Sequence, residues 1–171
     1  LNSLIHVRIA FKNYQMNSLT EDLKLLNDNG VEFSLNPMHI SLYTETDFED
    51  LANIANTFSP SCVTAVDTMG IMDKNDTERV FILLDKVINK NIDLGFHAHD
   101  NLELAYSNTI SLLNMNLDRT VIIDSCLDGL GRGGGMLSTN IIAMYLNDIY
   151  GKTYNVELLD DLSKKYISIF Y

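Results

Sequence analysis

The chain has 171 residues, 46% hydrophobic and 20% charged, with only two prolines, which suits one globular domain with a real core. A formal net charge of −11 repels phosphate backbones and anionic lipid surfaces, which argues against nucleic acid and membrane partners. Cys62 and Cys126 form no C-x-x-C pair, so neither a disulfide framework nor a cysteine zinc site is expected, and a reducing cytoplasm fits best.

In chain order, Leu4–Ala10 reads as a strand. It carries Arg8, a charge inside an apolar run that needs a carboxylate or a bound acid as partner. Ser18-x-x-Glu21 reads as a capping box opening a helix that stops at Gly30. Val31–Leu35 reads as the second strand; beyond it Pro37 should shape a turn, Asn36 can reach the mouth of a site, and His39 reads as a loop histidine. Thr46-x-x-Glu49 is a second capping box, and Cys62–Asp67 a third strand. Taken alone, Asp67-Thr68 with Gly70 behind it reads as a turn ahead of a ligand contact. Asn75 or Asp76 should cap the third helix. Ile92–His99 reads as a strand, Leu102–Asn114 as a helix, Thr120–Asp124 as a strand, and Thr139–Tyr150 and Val156–Phe170 as the closing helices.

Five strand–helix units, about 30 residues apart, predict a parallel sheet with crossover helices. The strands read as nearly continuous apolar runs, which predicts cover on both faces. Spacing alone leaves a doubly wound sheet and a (β/α)8 barrel open. A complete barrel usually takes about 250 residues, so here it would be incomplete, with its first strands absent. With no linker in the composition, residues 1–171 read as a single domain. The chain opens without methionine inside an apparent strand, so the beginning of a longer protein is expected to be missing.

Chemistry in such folds collects where strands end and helices begin. His97 and His99, at i and i+2 of a strand, project to one side and can chelate a divalent metal; satisfied polar histidines are the competing reading. Gly129, Gly131 and Gly134 match G-x-G-x-x-G, but in the last unit rather than the first, so a dinucleotide site is rejected. A glycine loop offering amides to an anion survives, with Arg132 as a carboxylate partner. Nothing beyond proximity supports Cys126 as a nucleophile.

Together these segments resemble the HMG-CoA lyase-like, or pyruvate carboxyltransferase-like, metallolyase superfamily, most closely its 4-hydroxy-2-oxovalerate aldolase-like branch. Gly95-Phe96-His97-Ala98-His99-Asp100-Asn101-Leu102, with Leu104-Ala105 and Asn108, is similar to that family's G-x-H-x-H-x-N-L-x-L-A-x-x-N signature. Asp67-Thr68-Met69-Gly70 resembles its D-[ST]-x-G strand end, and Asp124-Ser125 with Gly129-Leu130-Gly131-Arg132-Gly133 resembles its D-x-S-x-x-G-M-G-R-G segment.

The resemblance implies a TIM barrel, of which this chain is the C-terminal part, including the helix at 156–170. It implies a Mn2+, Mg2+ or Zn2+ ion held by His97 and His99, and a lyase cleaving or forming a carbon–carbon bond of a 2-oxo acid through a metal-stabilised enolate. Arg8, Asn36 and Thr68 carry over as lining of the substrate pocket, and Arg132 joins them from the glycine loop. Asp67, Asp100, Asn101 and Asp124 are expected to orient the ligating imidazoles.

Three departures stand out. The family's Arg-Asp motif on the first barrel strand has no counterpart here, Met136 stands where an asparagine is usual, and Asn140 replaces a common acid. They imply that this segment alone is inactive, needing a missing N-terminal segment or a homo-oligomer. They also motivate an alternative reading, a barrel-derived binding or structural protein whose catalysis has decayed.

Overall fold

The computed structural model describes residues 5–170. Five strands, β1 (His6–Phe11), β2 (Glu32–Pro37), β3 (Cys62–Asp67), β4 (Asp93–Ala98) and β5 (Val121–Asp124), form one parallel sheet in the order β1-β2-β3-β4-β5. Between and after them lie α1 (Thr20–Asp28), α2 (Glu45–Phe58), α3 (Lys74–Val87), α4 (Ala105–Asn114), α5 (Thr139–Tyr150) and α6 (Val156–Tyr166). Among the described residues, no helix is long and apolar enough to cross a membrane.

Among the described residues the strand order never reverses, so they contain no switch point of the kind a doubly wound sheet requires. Successive helices α1 to α4 pack against one another in a layer, as in a barrel wall. The sheet curls far enough for Arg8 on β1 to bond Asp124 on β5, across its full width. The architecture is therefore an arc of a (β/α) barrel.

The expectation of strands covered on both faces holds for β2 to β4, which are buried almost throughout, and fails on the outer strands β1 and β5. Along β1, Val7, Ile9 and Phe11 pack into the core, while His6, Arg8 and Ala10 are exposed on the concave side. The same alternation places Phe33 and Leu35, Val63 and Ala65, and Leu94 and Phe96 under the helices. Glu32, Ser34, Thr64, Asp93 and Asp124 line a cavity on the concave side. Period-two alternation sorts the two faces, and the concave one mixes polar residues with Ala10, Val66 and Ile122.

Local signals held unevenly. Gly30 adopts φ +63° just past α1, the left-handed stop expected of it. Ser18 caps nothing: its hydroxyl donates to the Gln15 carbonyl in a 3-10 turn, and α1 begins at Thr20. The capping box of α2 is Thr44 with Asp47, two residues earlier than Thr46 with Glu49. Asp73 caps α3, with Asp76 as its reciprocal partner. Pro37 ends β2 beside Phe11 rather than shaping a turn. The first strand was expected from Leu4, which lies outside the described residues. Helix α4 begins at Ala105 rather than Leu102, and α6 gives way to a 3-10 turn at Ser168–Phe170.

Candidate active site

At the C-terminal ends of the strands lies a cavity of about 530 Å³. Arg8, Asn36, Thr68, His97, His99 and Arg132, drawn from all the segments singled out above, line it together. Met38, Val66 and Met69 supply apolar wall that sequence reading had not named, although Met38 and Val66 follow Asn36 and Thr64 at the i+2 spacing of one strand face.

The two imidazoles stand edge to face, ring centroids 5.1 Å apart. Both are half-buried, and both are gripped from behind. His97 Nδ1 lies 2.9 Å from Asp124 Oδ2, and His99 Nδ1 lies 2.9 Å from the Asp67 carbonyl oxygen. A carboxylate and a carbonyl can only accept, so each Nδ1 carries the proton and donates. In the neutral ring, Nδ1–H leaves Nε2 with a free lone pair, the form a metal requires. This donor set fits a borderline divalent ion on two nitrogens. Among the described residues, no group of three or more His, Cys, Asp or Glu side chains is arranged to hold a metal, so the remaining coordination positions fall to water, substrate or other donors.

Asp124 is the hub. It accepts from His97 and, on the same oxygen, from the Arg8 guanidinium. Burial opposes its ionisation, but the hydrogen bonds from His97 and Arg8 outweigh it and hold the carboxyl below its ordinary range. Arg8 thereby gains the partner its place in an apolar strand demanded.

The other residues expected to orient the imidazoles behave differently. Asp67 serves His99 through its backbone. Its carboxylate accepts from the Ile71 and Met72 amides, at 3.2 and 3.1 Å, so it builds the turn that its sequence suggested. Burial pushes that carboxyl above its ordinary range, against the pull of those amides. Asp100 is engaged at the start of α4, accepting from Ala105 N at 2.8 Å, and bonds neither imidazole. Asn101 faces the glycine loop, accepting from Gly134 N at 3.4 Å.

Elsewhere on the rim, Thr68 Oγ1 accepts from His39 N at 2.8 Å, which ties the β2 loop to the β3 loop. Asn36 accepts from the Ser34 hydroxyl at 3.1 Å. Gly70 adopts φ +60°, and a Cβ there would stand 2.6 Å from Asn101 N and 2.9 Å from the His99 carbonyl. Only glycine lets the β3 turn lie this close behind the second histidine.

Two departures now have places. Met136 pairs with His99 as an antiparallel bridge, and its side chain folds over Gly131, whose added Cβ would meet Met136 Cγ at 2.6 Å. It is not in the cavity lining. Asn140 is buried between α5 and α6, accepting from Asp128 N and donating to Asp160 Oδ1 and Ser163 Oγ. An acid at 140 would face Asp160 across 2.8 Å, so the amide is what this packing requires.

Comparison with known proteins decides the family: the HMGL-like family model matches residues 5–162. The chain belongs to the HMGL-like family. Among curated members, 4-hydroxy-2-oxovalerate aldolase of Roseiflexus castenholzii is 32% identical over 142 residues, 82% of this chain and 40% of that protein. The Thermomicrobium roseum protein of the same name is 36% identical over 98 residues, 57% of this chain and 26% of that protein. The chain thus spans well under half the length of these relatives. Among solved structures, the N-terminal domain of a putative aldolase from Bacteroides vulgatus superposes with a TM-score of 0.81 at 25% identity, over 94% of this chain and 55% of that one. HMG-CoA lyase from Brucella melitensis, at 13% identity and a TM-score of 0.80 over 96% of this chain and 66% of that one, shares the fold.

Proposed function

We propose that this HMGL-like chain forms the metal-binding and substrate-facing part of a divalent-metal-dependent carbon–carbon lyase that acts on a 2-oxo acid, in the manner of an aldolase. The observation that carries this is the pair His97 and His99, with each Nδ1 occupied from behind and both rings on one cavity.

His97 and His99 would hold the ion through Nε2, and Asp124 and the Asp67 carbonyl fix their orientation. When bound, a divalent ion supplies Lewis acidity toward a keto and carboxylate pair. Arg8, kept in place by Asp124, stands at the same wall with guanidinium N–H groups left to donate to the acid. Asn36 and Thr68 add polar contacts from neighbouring strand ends, while Met38, Val66 and Met69 exclude water from one side of the pocket. Manganese as the ion and residence in the cytoplasm belong to the same reading. Support for aldolase chemistry comes from the names of the relatives and the family.

The test is elemental analysis of purified protein after exhaustive dialysis, beside a His97→Ala/His99→Ala variant. We expect close to one divalent ion per chain in the parent and background in the variant. Metal at background in the parent, or undiminished in the variant, overturns the proposal. The alternative, a barrel-derived binding protein without catalysis, is favoured by Met136 lying away from the cavity, and predicts acid binding with no turnover.

A further inference from the structure

The protein carries 23 acidic residues against 12 lysines and arginines, yet the walls of the cavity at the strand ends contain no aspartate or glutamate. Two arginines line it instead. They are not equivalent: Arg8 is neutralised by Asp124, whereas Arg132 makes no ion pair and no side-chain hydrogen bond among the described residues.

The loop that carries Arg132 is built rather than slack. Gly133 adopts φ +63°, and a Cβ there would stand 2.7 Å from the side-chain Nδ2 of Asn101. A Cβ on Gly134 would stand 2.7 Å from Asn101 Cα and 2.8 Å from the Asp100 carbonyl. Gly135 N closes the turn on the Arg132 carbonyl at 3.1 Å, and the Gly135 carbonyl accepts from Asp100 N at 3.0 Å. The loop is therefore packed down onto the segment that follows His99. An arginine set on a fixed loop, exposed at the rim of a cavity with no protein partner for its guanidinium among the described residues, can receive an oxyanion, because its planar fork matches carboxylate and phosphoryl oxygens.

We infer that the pocket has a second anionic subsite, in which Arg132 selects substrates bearing a carboxylate or phosphoryl group at the end remote from the 2-oxo acid. This rests on the proposed function, which assigns the 2-oxo acid end to His97 and His99. Met38, Val66 and Met69 in the same lining offer no side-chain N–H or O–H, which suits a short carbon chain. A volume of about 530 Å³ leaves room for one. A 4-hydroxy-2-oxovalerate molecule ends in a methyl group and would leave Arg132 without a partner, so this chain departs from the substrate its relatives are named for.

The test is isothermal titration calorimetry on the purified protein with manganese, using three ligands. They are 2-oxopentanoate, 2-oxopentanedioate and 2-oxo-4-phosphonobutanoate, which differ at the far end. The parent should bind at least one of the two-anion ligands about tenfold or more tightly than 2-oxopentanoate, as a charge-assisted pair allows. The tighter of the two identifies the group. Arg132→Ala should weaken the two-anion ligands more than 2-oxopentanoate and bring the ratio to within about twofold, and Arg132→Lys should restore part of it. Equal binding of all three by the parent overturns the inference. So does an Arg132→Ala variant that weakens all three alike, which would place Arg132 at the shared carboxylate. Binding of none of the three sinks the 2-oxo acid reading itself, an outcome distinct from either.

Discussion

The guanidinium of Arg8 and the carboxylate of Asp124, 116 residues apart in sequence and on the two outermost strands, meet on the oxygen that also receives His97. The pair both spans the curled sheet and sets the tautomer of the first imidazole. Asp124→Asn keeps the shape but removes the negative charge that makes Nδ1 the protonated nitrogen. Divalent metal affinity should fall about 10- to 100-fold by competition titration with a chromophoric chelator. Undiminished affinity would mean that His97 needs no partner behind it.

Gly70 and Gly151 make a matched pair for stability. Both have φ near +60°, but a Cβ on Gly70 would collide with Asn101 N and the His99 carbonyl, while nothing lies within 4 Å of one on Gly151. Gly151→Ala should cost about 1 kcal/mol, the left-handed penalty alone. Gly70→Ala should cost clearly more, on the order of 3 kcal/mol, and should also disturb the His99 resonances in NMR spectra. Equal costs in urea denaturation would refute the close approach.

At the opposite end of the barrel arc, Arg119 is a structural clamp. Its side chain is only 1% exposed. It donates to the carbonyls of Ile88 and Ile92 at 3.0 Å and, more loosely, to those of Asp85 and Asn89. Its Nε lies 2.8 Å from Asp85 Oδ1, attracted by charge though poorly aligned for a hydrogen bond. Arg119→Met leaves these buried acceptors unpaired and should destabilise by on the order of 3 kcal/mol.

The same clamp predicts a pH dependence. Burial opposes ionisation of Asp85, but Lys90 and Arg119 prevail and hold its carboxyl below the ordinary range. A depressed carboxyl binds fewer protons folded than unfolded, so its contribution is present above the ordinary carboxylate range and disappears as pH falls through it. The gap in melting temperature between the parent and Asp85→Asn should therefore be widest near neutrality and narrow steadily toward pH 3. A gap that widens on acidification would contradict the assignment.

Cys62 is buried on β3, and burial pushes its thiol up to about 11. Since the thiolate is the reactive form, native protein at pH 8 should yield one fast thiol with a disulfide reagent, from half-buried Cys126, and release Cys62 only on unfolding. Two fast thiols would show that β3 is more open than described.

What sequence reveals here depends on how local the cause is. His97 and His99 were readable because the strand period alone aims them together, and α5 emerged with the expected ends, Thr139–Tyr150. Caps were less legible: Thr44-x-x-Asp47 and Thr46-x-x-Glu49 both satisfy the pattern. What separates them is which register buries Phe48, Leu51 and Ala55, a tertiary fact. Asp100 resembled a partner for a neighbouring histidine, yet a helix start five residues on offered a nearer unsatisfied amide. Arg8 announced that it needed a partner, but nothing in the sequence could name one so distant. The Arg119 clamp gave no signal, since its acceptors are backbone carbonyls, which every residue has.

The polar inner wall of the sheet separates what keeps this protein folded from what it recognises. Cohesion comes from the helix-covered side, where Leu35, Val63, Leu94 and Phe96 are sealed away. A residue such as Arg132 or Thr68 can be exchanged without opening a hole among them. Substitutions on the cavity side should therefore change what is bound at little thermodynamic cost to the scaffold.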